Sequence, residues 1–157
     1  MKNFFKVTAM LFAVLCFGAC SNDNDDFAPE FLEVTPYNIS GYWKLTEYNG
    51  MAIPDGVYCY VEYTRKKERT FVIYDNFNSM YPDRKTGVYT IEKDKYGKAI
   101  LDGKYDYSMG EGGWNNRYYV TELQANSMKL TADSENADVC VDVRCNEIPA
   151  EITGTVE

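Results

Sequence analysis

Histidine is absent from this sequence of 157 residues. Its imidazole is the side chain that most often acts as an acid or a base near neutral pH, and it is the commonest metal ligand in proteins. Without histidine, the Ser–His and Cys–His pairs of many hydrolases cannot form, and most metal sites are excluded. We therefore expect a protein that is not an enzyme and that holds neither a metal ion nor another cofactor.

Basic residues are also scarce. The chain has 16 lysines and arginines against 24 acidic residues, which gives a net charge of −8. Its largest basic cluster is Arg65-Lys66-Lys67, and this trio is predicted to be a solvated turn between two strands. Proteins that bind nucleic acid present a basic patch, so we do not expect nucleic acid as a partner.

Helical periodicity of apolar residues is missing too, and an alternation of period two takes its place. Leu101, Gly103 and Tyr105 alternate with polar residues, as in a strand that buries one face. Short linkers, several with turn residues such as Asn49-Gly50, allow only antiparallel pairing between neighbours. We therefore predict an all-β fold, an eight-stranded antiparallel up-and-down barrel. Its strands are predicted at residues 39–48, 57–64, 69–75, 87–93, 98–107, 117–124, 127–133 and 138–145.

The first twenty residues have the parts of a secretory signal. Lys2 and Lys6 precede an apolar run, Val7 to Phe17, which is too short to span a bilayer. The sequence Phe17-Gly18-Ala19-Cys20 then resembles the bacterial lipobox, with phenylalanine where leucine is usual. The resemblance implies a lipoprotein whose signal peptide, residues 1–19, is removed and whose Cys20 carries the lipid, including palmitate. The alternative is an ordinary signal peptide with a chance cysteine.

Residues 20–38 are predicted to be a flexible tether. Ser21 to Asp26 contains no apolar residue, and Pro29 and Pro36 interrupt the rest of the segment, so we expect disorder. The acidic run resembles the one that comes after the lipidated cysteine in surface lipoproteins of Bacteroides-type bacteria. That resemblance implies a lipid-anchored protein of the outer membrane that faces the cell exterior, and a plain solvated linker is the alternative. The predicted domains are then the barrel at residues 39–148 and a C-terminal tail at residues 149–157.

Three cysteines remain in the predicted mature domain: Cys59, Cys140 and Cys145. Export would place them in an oxidising compartment, where one disulfide can form. Cys140 and Cys145 lie on one predicted strand, about 16 Å apart at roughly 3.3 Å per residue, which is too far for a bridge. Any disulfide should therefore involve Cys59. The alternative is that all three are small buried side chains.

Gly41-Tyr42-Trp43, at the start of the first predicted strand, resembles the Gly-x-Trp motif of lipocalins and of the lipocalin-like domains of bacterial lipoproteins. The resemblance implies that Trp43 closes the base of the barrel and that an arginine near the last strand packs over it. Arg144 is the only residue in the right region. However, the alternation of Val139, Val141 and Val143 predicts that the valines face inward, and Arg144 would then face outward. The family is known for small hydrophobic or amphiphilic ligands.

Tyrosine is abundant, with 14 residues. Two predicted loops are long, Asn76 to Thr86 and Ser108 to Asn116, and aromatic residues lie around the second. They either pack the barrel or line a binding site at its mouth for a small hydrophobic ligand, an amphiphile or a glycan. A third hypothesis is an accessory or structural lipoprotein that docks a protein partner and has a filled, ligand-free barrel. The candidate ligand-binding residues are Trp114, Tyr105, Tyr107 and Tyr118.

Overall fold

The computed structural model describes residues 29–106 and 117–154. The lipobox, Cys20 and the acidic run lie outside the described residues, and so does the Ser108–Asn116 loop. The predictions made for those segments, and the predicted boundary between the signal peptide and the tether at residues 19 and 20, therefore remain predictions.

Nine strands and two short helices occur in the described ranges. The strands are β1 (Gly41–Tyr48), β2 (Met51–Ala52), β3 (Cys59–Tyr63), β4 (Thr70–Asp75), β5 (Asp83–Lys93), β6 (Ala99–Tyr105), β7 (Arg117–Thr121), β8 (Ser127–Ala132) and β9 (Val139–Cys145). The helices are α1 (Pro36–Ile39) and α2 (Ala150–Thr153). In the described part of the chain, no helix is long and apolar enough to cross a membrane.

Eight of the strands form a closed barrel. From β3 to β9, each strand pairs antiparallel with the next one along the chain, and β1 pairs with both β3 and β9. The two-residue strand β2 pairs only with the end of β1, so it is an accessory strand outside the ring. The predicted all-β, eight-stranded, up-and-down barrel is confirmed.

The connections between strands fall alternately at two ends of the barrel, because neighbouring strands run in opposite directions. The closed end is where β1 begins, and it carries the connections at residues 64–69, 94–98 and 122–126. The open end is where β1 finishes, and it carries residues 49–58, 76–82 and 133–138. β6 also ends, and β7 begins, at the open end.

One predicted loop is shorter than expected. The polar and charged side chains of residues 76–86 predict a loop, but β5 already begins at Asp83. Its first residues continue the ladder with β4, as far as the pair Asp75 and Asp83. An ion pair from Lys85 Nζ to Asp75 Oδ2, at 2.6 Å, joins the two strands here. Arg84 also donates a hydrogen bond of 3.4 Å to the hydroxyl of Tyr74, so two of the three charged residues that begin β5 have a side-chain partner on β4.

The inward faces of the barrel follow the predicted alternation on most strands. Ile39, Trp43 and Leu45 are buried in one hydrophobic core. The alternating apolar residues of β8 and β6 are buried with them, namely Met128, Leu130, Ala132, Leu101 and Gly103.

The alternation on β9 is the reverse of the one predicted. Cys140 and Asp142 are buried, whereas Val143 is exposed. The cause is the register with β1, in which Asp142 stands opposite Leu45 and Arg144 opposite Trp43. Directly paired residues share one face of a sheet, so the inward side chains of β1 place Asp142 and Arg144 inside the barrel. Valine favours strands on either face, so the positions of the valines alone do not show which face of β9 points into the barrel.

The end of the predicted tether is ordered, contrary to the expectation of disorder. Leu32 and Val34 pack against the core, and the amide of Leu32 donates a hydrogen bond of 2.7 Å to the carbonyl of Leu123. Thr35 then caps α1 by accepting a hydrogen bond from the amide of Asn38. The apolar residues between the two prolines bury enough surface to hold this segment at the closed end.

The three cysteines of the described chain are free thiols. Cys59 and Cys140 are buried and Cys145 is half-buried. Cys59 and Cys140 therefore correspond to the second of the two alternatives, small buried side chains, whereas Cys145 lies on the outward face of β9 opposite Tyr42.

Candidate functional site

The closed end is built around Trp43. Its side chain is fully buried, and its indole Nε1 donates a hydrogen bond of 2.7 Å to the carbonyl of Ile39. A buried tryptophan needs such a partner for its N–H group. The bond also holds the end of α1 against the first strand, so the same residue fills the base and fixes the chain that enters it.

Arg144 covers Trp43. The central carbon of its guanidinium lies 4.1 Å from the centre of the indole ring, a cation–π contact. The guanidinium also donates hydrogen bonds to three backbone carbonyls of the closed end, so it joins three segments of the chain. The acceptors are Ala125 at 2.8 Å, Ser40 at 2.7 Å and Asn38 at 2.7 Å.

Gly41 makes room for this arginine. Its φ is +121°, a conformation that side-chain-bearing residues rarely adopt. A Cβ atom at this position would also stand only 2.6 Å from Nη1 of Arg144. Each fixed residue of the Gly-x-Trp motif therefore has a physical role here. The glycine leaves space for the side chain of Arg144, and the tryptophan fills the base of the barrel.

The open end contains a cavity of about 610 Å³. This volume is within the range of small-molecule sites, roughly 300–1,000 Å³. Most of the wall is apolar and comes from β1, from the 49–58 connection and from the 76–82 connection, with Leu45, Ile53, Pro54, Val57 and Phe77 among the lining residues.

A buried ion pair interrupts this apolar wall. Asp75 is only 1% exposed, and Lys85 contacts its carboxylate at 2.6 Å and that of Asp83 at 2.9 Å. Burial acts to lower the pKa of Lys85, but the hydrogen bonds to the two carboxylates outweigh it, so the pKa of Lys85 is raised. The lysine is therefore a cation that already has its counter-ions. Asp138, at the rim of the cavity, accepts a hydrogen bond of 2.8 Å from the side chain of Asn49.

Metal binding finds no support in the described residues, which contain no group of three or more cysteine or acidic side chains that could hold an ion.

The sequence profile of the lipocalin-like domain matches residues 39–130, more than half of the chain. The chain belongs to the lipocalin-like domain family. No curated protein sequence matches it.

Two solved structures are similar to this lipocalin-like chain. One is a lipocalin-like protein from Bacteroides uniformis, with 15% identity and a TM-score of 0.46, which covers 69% of this chain and 99% of its own. The other is japanin from Rhipicephalus appendiculatus, bound to cholesterol, with 16% identity and a TM-score of 0.47, which covers 78% of this chain and 89% of its own.

The lipocalin-like barrel brings only part of the predicted site together. Tyr118 lines the cavity. Tyr105 instead packs edge-on against Phe71, with ring centres 5.4 Å apart, and burial raises its pKa. Tyr107 and Trp114 lie outside the described residues. The ligand-binding role of all four residues stays a prediction.

Several residues of the cavity were not identified from the sequence. The turn residues of the 49–58 connection predict only a turn, although this segment supplies Ile53, Pro54 and Val57. A signal was available in the strand from Val57 onward, which is apolar on both faces and therefore has more apolar surface than one core face needs. Asp75 and Lys85 could not be paired without the register of β4 and β5.

Proposed function

We propose that this protein binds a small hydrophobic or amphiphilic molecule in the cavity at the open end of its lipocalin-like barrel. The observation that supports the proposal is the difference in packing between the two ends of the barrel. Trp43 and Arg144 close one end, whereas the open end has a cavity of about 610 Å³ with mainly apolar walls. Burial of apolar ligand surface there is favourable at roughly 25 cal/mol per Å². We also propose that the protein is a binding protein without enzymatic activity.

A substitution that fills the cavity tests this function. Val57→Trp places a large ring at the cavity wall and should weaken the binding of an apolar fluorescent probe at least about tenfold. Val88→Trp is the matched control, because Val88 is exposed on the outside of β5, and it should leave binding unchanged. If the unsubstituted protein binds no apolar probe, the proposal is wrong.

Trp114 remains the candidate contact from the 108–116 segment. Trp114→Ala should lower the affinity for the apolar probe with little change in melting temperature if the ring contacts the ligand. A lower melting temperature with unchanged affinity would instead identify the ring as part of the folded core, and Trp114 would then be withdrawn as a ligand contact.

We further propose that lipid on Cys20 anchors the protein in the outer membrane, facing the cell exterior. Cys20→Ala should abolish metabolic palmitate labelling and leave an unprocessed precursor. Exchange of Asp23, Asp25 and Asp26 for alanine should reduce cleavage by external protease in whole cells without changing thermal stability. Release of the unsubstituted protein with a different N-terminus would contradict the anchor, and unchanged surface exposure would leave the acidic run as a linker.

Docking of a protein partner is a second candidate function, and exposed apolar residues at the open end favour it. Met80 is 92% exposed and Tyr81 is 78% exposed, and Met51 beside the cavity is also exposed. Exposed apolar clusters often mark interaction sites. A pull-down from detergent-solubilised membranes separates the two functions, since a stoichiometric protein supports docking and a co-purifying small molecule supports ligand binding.

A further inference from the structure

Asp142 lies inside the barrel, below the cavity. It is on the inward face of β9, one inward position from Cys140, which lines the cavity, and one from Arg144, which covers the base. Inward positions of a strand are about 7 Å apart. Its paired neighbours are Leu45 on β1 and Met128 on β8, so both of its lateral contacts are apolar.

This carboxyl group has no counter-ion of its own. Asp142 is 5% exposed, and among residues 29–106 and 117–154 it has neither a hydrogen-bond nor an ion-pair partner. Every fully buried side-chain nitrogen or oxygen of these residues does have a partner. The oxygens of Asp142 are therefore not completely enclosed, and they border space that a water molecule can enter, one inward position below Cys140 in the cavity wall.

The groups around Asp142 do not supply a cation. It interacts electrostatically with Cys59, Tyr63, Tyr118 and Cys140. Burial raises the pKa of each of these groups, to about 12 for Cys140, so they are neutral at pH 7.

The interior cations are already engaged. Lys85 is bound to Asp75 and Asp83, and Arg144 is bound to backbone carbonyls and to Trp43. The interior therefore has a surplus of negative charge once Asp142 ionises, and a buried charge without a partner is costly.

We propose that the cavity selects ligands with a basic nitrogen on an apolar body, and that Asp142 is the anion that receives the nitrogen. This inference rests on the proposed ligand binding and names its chemical class. An ammonium group provides both the missing charge and hydrogen-bond donors, while the apolar body occupies the wall around Leu45, Ile53 and Val57. Charge-assisted hydrogen bonds of this kind are roughly twice as strong as those between neutral groups.

Ion pairing in the interior should also release a proton. Burial raises the pKa of Asp142 to about 7, so in the empty barrel the carboxyl is largely protonated below that pH. A protonated amine can pair only with the carboxylate, and one proton leaves Asp142 for solvent as the pair forms. The affinity for the amine should therefore rise about tenfold per pH unit as the pH approaches 7 from below, and level off above it.

Three ligands with the same chain and different head groups test the inference on the full chain. Dodecylamine, dodecanol and dodecanoate are titrated calorimetrically at about pH 8. We expect dodecylamine to bind about tenfold to a hundredfold more tightly than dodecanol, and dodecanoate to bind most weakly. Asp142→Asn should remove the preference for the amine and leave dodecanol binding within about threefold. Glu62→Gln, on the outward face of β3 opposite Tyr42, is the matched carboxylate control and should keep the preference.

The outcomes separate the two proposals. If none of the three ligands binds, ligand binding itself is wrong, and the inference falls with it. If dodecanol binds as tightly as dodecylamine, ligand binding stands and the role of Asp142 is wrong. A measurement on the unsubstituted protein covers the case in which Asp142→Asn does not fold: dodecylamine binding at about pH 6 should release close to one proton, measured in buffers of different ionisation enthalpy, and release of none would overturn the inference.

Discussion

The two ends of this barrel are built from the same strands but differ in packing: one is filled by side chains, and the other contains a cavity. At the closed end, Trp43 is fully buried under Arg144, and the guanidinium of Arg144 satisfies three backbone carbonyls. At the open end, the strands finish in longer connections that leave a cavity. The first end is a set of complementary contacts, and the second has a mainly apolar cavity wall, with the carboxyl group of Asp142 below it. The comparison leads us to expect that stability is concentrated at the closed end, whereas the proposed ligand binding belongs to the open end.

The largest effect is expected at Trp43. Trp43→Ala removes the largest side chain of the closed end and should reduce the free energy of unfolding by about 3–5 kcal/mol, measured by urea denaturation. Tyr81→Ala is the control at the open end, where the ring is exposed, and it should change stability by less than about 0.5 kcal/mol. Similar losses for both variants would contradict the division between the two ends.

Arg144 is expected to come next. Arg144→Met keeps the apolar stem but leaves the carbonyls of Asn38, Ser40 and Ala125 without their donor, which should cost about 3 kcal/mol in the same measurement. Arg84→Met removes an exposed guanidinium from β5 and should cost less than about 0.5 kcal/mol. An Arg144→Met variant as stable as the unsubstituted protein would show that the arginine does not hold the closed end.

Gly41 tests whether the motif residues act as one unit. Gly41→Ala should cost about 2 kcal/mol, because the backbone is strained and the new methyl group meets Arg144. Gly56→Ala is the control, since Gly56 also has a positive φ but no atom within 4 Å of its Cβ position. It should cost about 1 kcal/mol. In the Arg144→Met background the cost of Gly41→Ala should shrink, and two additive losses would refute the steric conflict.

The buried carboxyl group of Asp142 should make the free energy of unfolding depend on pH. Its pKa is about 7 in the folded protein against 3.8 for an ordinary aspartate, so between these values the folded state binds more protons than the unfolded state. Stability is fully present below the unfolded pKa and is lost as the pH rises towards 7, by at most about 1.4 kcal/mol per pH unit. Unfolding curves of the unsubstituted protein and Asp142→Asn between about pH 4 and pH 8 should diverge, and parallel curves would contradict a buried, unpaired carboxyl group.

The barrel could be predicted from the sequence because its causes are local. Alternation on β6 and β8 and short turns define strands and their neighbours without any knowledge of the other strands. Which side chains of β9 face inward could not be predicted in this way, because its valines fit either face of a strand. Only the pairing of Asp142 with Leu45 determines the inward face. The sequence also did not predict that residues 29–38 are ordered, for a similar reason. Leu32 and Val34 pack against apolar residues that come together only in the folded barrel.

The candidate site depended even more on distant contacts. The Gly-x-Trp resemblance located the closed end, since its three residues are contiguous. The cavity draws its wall from six strands of the barrel and from three connections, 49–58, 76–82 and 133–138, so no single segment carries its signature. Asp75 and Lys85 are ten residues apart and form an ion pair only through the ladder of β4 and β5.

The position at which the chain enters the barrel determines which end of the barrel is nearer to the N-terminal segment. Leu32 is bonded to Leu123 at the closed end, and α1 is held there by Trp43. The proposed anchor on Cys20 would therefore pull on the sealed pole, and the mouth would be the pole farthest from the bilayer. A protein standing in this way would collect its ligand from the surrounding medium and not from the lipid beneath it.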